Sequence, residues 1–197
     1  MPGLTATALS NHLINTVENR KDALAIIDLD DGFKERYEND GVDHAVTDNT
    51  LSTVLATART RDLNTSYAAT YYPRIRLRDT ITGQNDVIIA PASVGAVGAL
   101  AFSDANSNGP WFAPAGFNRG GISILGGNQG PRVVGTLKNL SKADRDDLYE
   151  LNINPIARFP AIGEVVIFGQ KTLQQTPSAL DRINVRRLMI FLKKRIG

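Results

Sequence analysis

The alternation of short apolar runs with segments of helical periodicity is the strongest constraint on the fold. Runs rich in β-branched and aromatic residues indicate strands, and apolar residues spaced three or four apart indicate helices. Because strands and helices alternate, with both hairpins and crossovers, we predict one α/β domain over residues 1–197 that has a mixed β-sheet flanked by helices. Strands are expected near 24–29, 66–72, 74–78, 87–90, 121–127, 153–159 and 163–169, and helices near 4–20, 47–59, 92–103, 142–148 and 181–196.

The first and last helices are amphipathic by sequence, so each is expected to bury its apolar face. In the first helix that face consists of Ala6, Leu9, Leu13 and Val17. The last helix is expected to follow a capping box that begins with Ser178 and Asp181, and to leave its basic residues in solvent. Its apolar stripe, expected to pack on the body, consists of Val185, Leu188, Met189, Leu192 and Ile196.

Positive charge is concentrated in the last helix. The chain of 197 residues has a net charge of +2. Residues 181–195 hold six basic side chains and one acid, or +5, which leaves 2 − 5 = −3 for the rest. Because the excess is small overall, the composition argues against nucleic acid as a partner. The longest apolar segment, 87–102, is 16 residues long and contains Pro91, so no direct membrane insertion is expected either.

Few side chains suggest chemistry. The chain has no cysteine and two histidines, His12 and His44, and the latter lies beside Asp40 and Asp43. A solvated loop explains that cluster better than a metal site, and the segment ILGGNQGP at 124–131 lacks the spacing of a phosphate-binding loop. We therefore predict no catalysis, no cofactor and no metal. A small-molecule enzyme that uses the ILGGNQG turn stays open as an alternative.

A row of arginines precedes the middle of the chain. Arg74, Arg76 and Arg78 have the period-two spacing that sends side chains to one face of a strand. Two interpretations stay open. The row either faces an acidic partner or forms internal salt bridges to acids such as Asp79 and Asp86.

Four segments taken together resemble the C-terminal half of the contractile tail sheath proteins of bacteriophages and related injection systems. The motifs YYP, APAG and RINVRRL within them are the most specific part of the resemblance. The segments are NTSYAATYYPRIRLRD at 64–79, IIAPASVGAVGALAFSDANSNGPWFAPAG at 88–116, LNINPIARFPAIGEVVIFGQKTL at 151–173 and DRINVRRLMIFLKKRI at 181–196.

The resemblance implies a structural subunit that polymerises around the tail tube and contracts to drive the tube through the bacterial envelope. Implied partners are other sheath subunits, the tail tube protein, and the baseplate and tail terminator proteins; no cofactor is implied. The implied location is the virion tail, after assembly in the host cytoplasm. A non-contracting tail or baseplate adaptor with the same fold is the main alternative. The family's terminal arms would lie beyond residues 1–197, so we expect a fragment of a longer subunit.

The basic residues of the last helix are the leading candidates for a docking role. We hypothesise that they meet acidic groups on the tube or on an adjacent subunit, where exposed pairs contribute about 0 to 1 kcal/mol each. The hypothesised interface residues are Arg182, Arg186, Arg187, Lys193 and Lys194, with Arg74, Arg76 and Arg78 as a second group.

Overall fold

A computed structural model describes residues 2–33, 51–78, 87–107, 109–122, 132–160 and 164–196. Its helices are α1 Thr7–Arg20, α2 Leu51–Arg61, α3 Ala92–Ser107, α4 Gly116–Arg119, α5 Lys142–Glu150 and α6 Ile183–Ile196, with a 3-10 turn at Ala179–Asp181. Its strands are β1 Ala25–Ile27, β2 Ala68–Tyr72, β3 Ile75–Arg78, β4 Val87–Ala90, β5 Arg132–Thr136, β6 Ile153–Phe159 and β7 Glu164–Ile167.

The described strands form two sheets. The larger is mixed, in the order β1-β2-β6-β7, with β1, β2 and β6 parallel and β7 antiparallel. The smaller is antiparallel, in the order β4-β3-β5. The predicted mixed α/β architecture is therefore confirmed, although β3, β4 and β5 pair among themselves.

Small residues allow α3 to approach the sheets closely. Ala96 and Ala99 are buried in a cluster that also contains strand residues of both sheets. A Cβ atom at Gly95 would lie 3.1 Å from methyl carbons of Ile75 and Ile122. The glycine weakens the helix intrinsically, and the close packing it permits offsets that cost. A second cluster lies between the larger sheet, α1 and α2.

A buried carboxylate fixes the beginning of α3. Asp28 is 5% exposed and follows β1. It accepts hydrogen bonds from the Ser93 amide at 3.1 Å, the Ser93 hydroxyl at 2.6 Å and the Gly3 amide at 2.9 Å. Because these donors include an amide of the first helical turn, Asp28 caps α3 from a distant part of the chain.

Three local predictions are wrong. In α1 the buried residues are Ser10, Ile14 and Val17, while Leu9 is exposed, because the helix is rotated relative to the predicted face. The continuous apolar run of β4 predicts a buried strand, but β4 lies at an edge of the smaller sheet, and Val87 and Ile88 are about half exposed.

The predicted capping box at the last helix is the third error. The Ser178 hydroxyl accepts from the Leu180 amide and so caps the 3-10 turn that precedes α6. A reciprocal capping box lies instead at α5, between Ser141 and Asp144. The hydrogen bond from the Ser141 amide holds the pKa of Asp144 below its ordinary value.

Candidate docking surface on the last helix

Helix α6 is fixed to the body mainly at its beginning. Ile183 is fully buried, and its amide donates to the carbonyl of Gln170 at 2.9 Å. Lys171 and Arg182 form an isolated antiparallel bridge immediately before the helix. The orientation of α6 is therefore determined by the segment that follows β7.

The later part of the apolar stripe predicted to pack on the body faces solvent, while Val185 and Leu188 are half-buried. Met189, Leu192 and Ile196 are 49%, 39% and 84% exposed. The inward side of the helix instead carries the buried residues Ile183 and Arg186. At about 100° per residue these two sets lie on opposite sides of the helix. We call the predicted set, Val185, Leu188, Met189, Leu192 and Ile196, the outward stripe.

Arg186 does not present its charge at the surface, contrary to its hypothesised partner role. Its side chain is 8% exposed, donates to the Ser66 hydroxyl and places its guanidinium carbon 4.0 Å from the centre of the Tyr67 ring. Its Nε atom is buried and has no hydrogen-bond partner, and Arg186 makes no ion pair with a described residue. The side chain therefore holds α6 against the segment before β2.

Arg187 is likewise used within the chain. It pairs with Asp104 of α3, and its side chain is 15% exposed. Arg187 also borders an apolar groove between α3 and α6, with a volume of about 350 Å³. The groove is lined by Leu24, Ile26, Val97, Leu100, Pro110, Arg187, Ile190, Phe191 and Lys194.

The other basic residues of α6 lie nearer the solvent. Arg182 donates to the Tyr149 hydroxyl at 2.8 Å and pairs with Asp181 at 3.2 Å. Lys193 donates to the carbonyl of Arg20, at the end of α1, at 2.9 Å. Lys194 and Arg195 are exposed. At about 100° per residue Arg195 lies beside the outward stripe, whereas Lys194 lies on the side of the groove.

Lys194 also acts on a carboxylate of the loop after α1. The hydrogen bond from Arg20 is the main reason that the pKa of Asp22 lies below its ordinary value, and the charge of Lys194 lowers it further. The end of α6 therefore contributes positive potential beside α1.

The three arginines of the row at β3 lie in different environments. Arg74 pairs with Asp31 at 2.9 Å, and both side chains are nearly buried. Its guanidinium carbon lies 4.2 Å from the centre of the Phe33 ring. Arg76 and Arg78 are exposed and alternate with inward residues. The internal interpretation is thus correct for Arg74, with Asp31 as its partner. Asp79 and Asp86 lie outside the described residues, so both interpretations stay open for Arg76 and Arg78.

The remaining candidates are the histidine cluster and the glycine-rich turn. His44 with its neighbouring acids, and the turn at 124–131, lie outside the described residues. Within the described ranges no group of three His, Cys, Asp or Glu side chains could hold a metal ion, and no helix is long and apolar enough to cross a membrane. A cavity of about 470 Å³ beside α2 contains Lys171, whose Nζ donates to the Tyr149 carbonyl and whose pKa is lowered by burial.

Sequence reasoning missed the inward face of α6. A signal was present, because Ile183, Ile190 and Phe191 form a second apolar face of the helix.

Trp111 contacts this inward face of α6. It packs edge-to-face on Phe191 with ring centres 5.8 Å apart, and its carbonyl accepts a hydrogen bond from Asn184. Trp111 therefore anchors its loop on α6.

Comparisons with known proteins point to a single group. No family model matches the chain. The tail sheath protein of Enterobacteria phage T4 is 31% identical over 202 residues, which is 98% of this chain and 28% of that protein. The tail sheath protein of Vibrio phage KVP40 is 44% identical over 107 residues, 54% of this chain and 14% of that protein. The chain thus spans less than a third of the length of either curated relative.

Solved structures share the fold at lower identity. The contracted helical sheath of the anti-feeding prophage matches with a TM-score of 0.63 and 20% identity, over 98% of this chain and 43% of that one. The baseplate of the same prophage matches with a TM-score of 0.63 and 19% identity, over 96% and 40%. The contracted PVC sheath complex gives 0.57 and 22%, over 88% and 39%.

Proposed function

This chain is a relative of the contractile tail sheath proteins, and from that premise we propose that it is part of a structural subunit that polymerises around a tail tube and contracts. The similarity over 98% of the chain to the T4 tail sheath protein carries the proposal. The curated relatives are structural proteins, which supports a role without catalysis. The expected single domain over 1–197, and terminal arms beyond it, stay predictions.

The outward stripe supports a docking role for this part of the molecule. Apolar side chains such as Met189 and Ile196 lie next to one another on one face of α6, and contiguous exposed apolar surface marks interaction sites. Exposed cations at Lys193 and Arg195 border it. This composition suits a partner surface with an apolar centre and an acidic rim. We propose that this partner is the tail tube.

The division of the basic residues refines the docking hypothesis. Arg186 and Arg187 hold α6 on the body, so they act by orienting the helix. Arg195 meets the partner directly, and Arg182, Lys193 and Lys194 support the helix while contributing positive potential. Each exposed pair contributes about 0 to 1 kcal/mol, so the apolar stripe supplies most of the affinity.

Exchange between two packings of the same subunits would supply the contraction. Baseplate and tail terminator contacts, location in the virion tail and assembly in the host cytoplasm follow as further parts of the proposal. A non-contracting adaptor is the second candidate, since the fold matches a baseplate structure as well as it matches a sheath.

Electron microscopy of the expressed gene product with its tube protein tests the proposal. Long cylinders around the tube support a sheath subunit, and capped discs support the adaptor. Leu192→Asp should reduce decoration of tubes, because it places a charge in the outward stripe. Leu9→Asp is the matched control, since Leu9 is similarly exposed on α1. Monomers that never bind tubes would contradict the proposal, as would equal decoration by the two variants.

A further inference from the structure

A second exposed apolar surface lies where α4, β6 and β7 meet. The ring of Phe117 is 5.0 Å from that of Phe159 and 6.0 Å from that of Phe168, and the last two rings are 5.5 Å apart. Phe117 is 47% exposed and Phe168 is 44% exposed. Three clustered phenylalanines with this much ring surface in solvent are unusual for an isolated surface. We call these three residues the aromatic patch.

A cation covers one side of the aromatic patch. The guanidinium carbon of Arg145 lies 5.5 Å from the centre of the Phe159 ring and 6.0 Å from that of Phe168. Arg145 NH1 donates to the carbonyl of Leu140 at 3.0 Å, and Arg145 makes no ion pair with a described residue. Arginine beside aromatic rings is the composition of the central residues of protein interfaces. An acidic partner would neutralise this charge.

Helix α5, which carries Arg145, also carries acidic groups on its other side. Asp146 and Asp147 of α5 are exposed and, within the described part of the chain, make neither a hydrogen bond nor an ion pair. They follow Arg145 at about 100° and 200° around the helix axis, so they point away from the aromatic patch. One chain therefore presents an aromatic surface with a free cation and, separately, a free acidic surface.

We propose that the aromatic patch of one copy binds the acidic face of α5, through Asp146 and Asp147, on a second copy of this chain. The two surfaces differ, and a contact that pairs one of each leaves the other two free for further copies. Such a contact is head-to-tail and extends without limit unless its rotation closes a ring. The inference rests on the proposed function, since it supplies subunit-to-subunit contact that the tube-facing stripe does not.

Sedimentation velocity over a concentration series tests the contact with the chain alone. Phe168→Ser should weaken self-association about tenfold, because it removes a ring from the patch. Phe102→Ser is the matched control, since Phe102 is equally exposed on α3, and it should leave self-association unchanged. Thermal unfolding followed by circular dichroism shows whether each variant is folded.

A charge exchange gives a test that folding defects cannot imitate. Arg145→Glu, and separately Asp146→Arg with Asp147→Arg, should each weaken self-association because like charges then face each other. An equimolar mixture of the two variants should associate again, since each repulsive contact is replaced by an attractive one. Association of the separate variants at the level of the parent would overturn the inference, as would a mixture no better than its components or a monomeric parent.

The outcomes also separate this inference from the proposed function. If the variants assemble normally on tubes and associate like the parent, the contact is wrong while the sheath assignment stands. If the parent self-associates through the patch but never binds tubes, the contact stands and the sheath assignment fails.

Discussion

Replacing Asn154 by alanine should be among the most costly single changes in this chain. Asn154 is fully buried, and its Nδ2 donates to the carbonyls of Thr70 at 3.0 Å and Lys171 at 2.8 Å. Its Oδ1 accepts from the Lys171 amide at 2.6 Å. The side chain thus joins β2, β6 and the segment that leads to α6.

The expected loss follows from the three main-chain groups that alanine would leave without partners. A Cβ atom added at Gly169 would lie 2.9 Å from the Asn154 Oδ1 atom, so little room exists for water to replace the amide. A buried group left unsatisfied costs about 1 to 3 kcal/mol, and some relaxation is expected, so we estimate a loss of about 4 kcal/mol in the free energy of unfolding. For a chain of this size that corresponds to a melting temperature lower by about 8 to 16 °C.

Urea unfolding and thermal melting of Asn154→Ala measure this loss. Asn106→Ala is the control, because Asn106 is exposed and donates only to the Phe102 carbonyl of its own helix. The control should change the free energy of unfolding by less than about 0.5 kcal/mol. If Asn154→Ala melts as the control does, the amide does not hold the sheet to the α6 segment as described.

Three further changes test other parts of the structure. Gly120→Ala should cost about 1 to 3 kcal/mol in urea unfolding, because a Cβ there would meet main-chain atoms, including the Ile167 carbonyl at 2.6 Å. Gly135→Ala, whose Cβ would meet nothing within 4 Å, should be nearly neutral, and equal losses would contradict this reasoning. The pKa of Asp144 is lowered in the folded state, so its stabilisation is present above its unfolded pKa and is lost as pH falls through the folded pKa. The loss of stability caused by Asp144→Asn should therefore shrink below about pH 4, and parallel stability curves for parent and variant would refute this. Arg186→Met should cost less than about 1 kcal/mol in urea unfolding, because it removes a buried cation without an anion, whereas Arg186→Ala should cost about 2 to 4 kcal/mol through the cavity it leaves. Equal losses for the two Arg186 variants would show that the charge matters more than the volume.

The fold was predictable where local pattern alone determines the element. The strands at 153–159 and 164–167 and the helix α5 lie within a few residues of their predicted positions. Their termini carry recognisable signals, including Ser141 before α5. Pairing between strands is a property of the whole chain, and the separation of β3, β4 and β5 into a second sheet was accordingly missed.

The main error at the candidate site concerned which face of α6 contacts the body. Periodicity identifies which residues share a face, but it does not tell which of two apolar faces meets the body. Ile183 and Ile190 form the inward face here, and Met189 and Leu192 the outward one. Buried arginine is uncommon, so Arg186 was expected in solvent with the other basic residues of the helix, whereas it is buried.

Several hydrogen bonds that hold α6 in place are accepted by main-chain carbonyl oxygens. Ile183, Asn184 and Lys193 donate to the carbonyls of Gln170, Trp111 and Arg20. A carbonyl is present whichever amino acid occupies the position, so mutation at residues 20, 111 or 170 would leave these acceptors in place. The position of the helix therefore does not depend on which side chains occupy residues 20, 111 and 170, and related sequences could vary the outward side chains without changing how the helix is held.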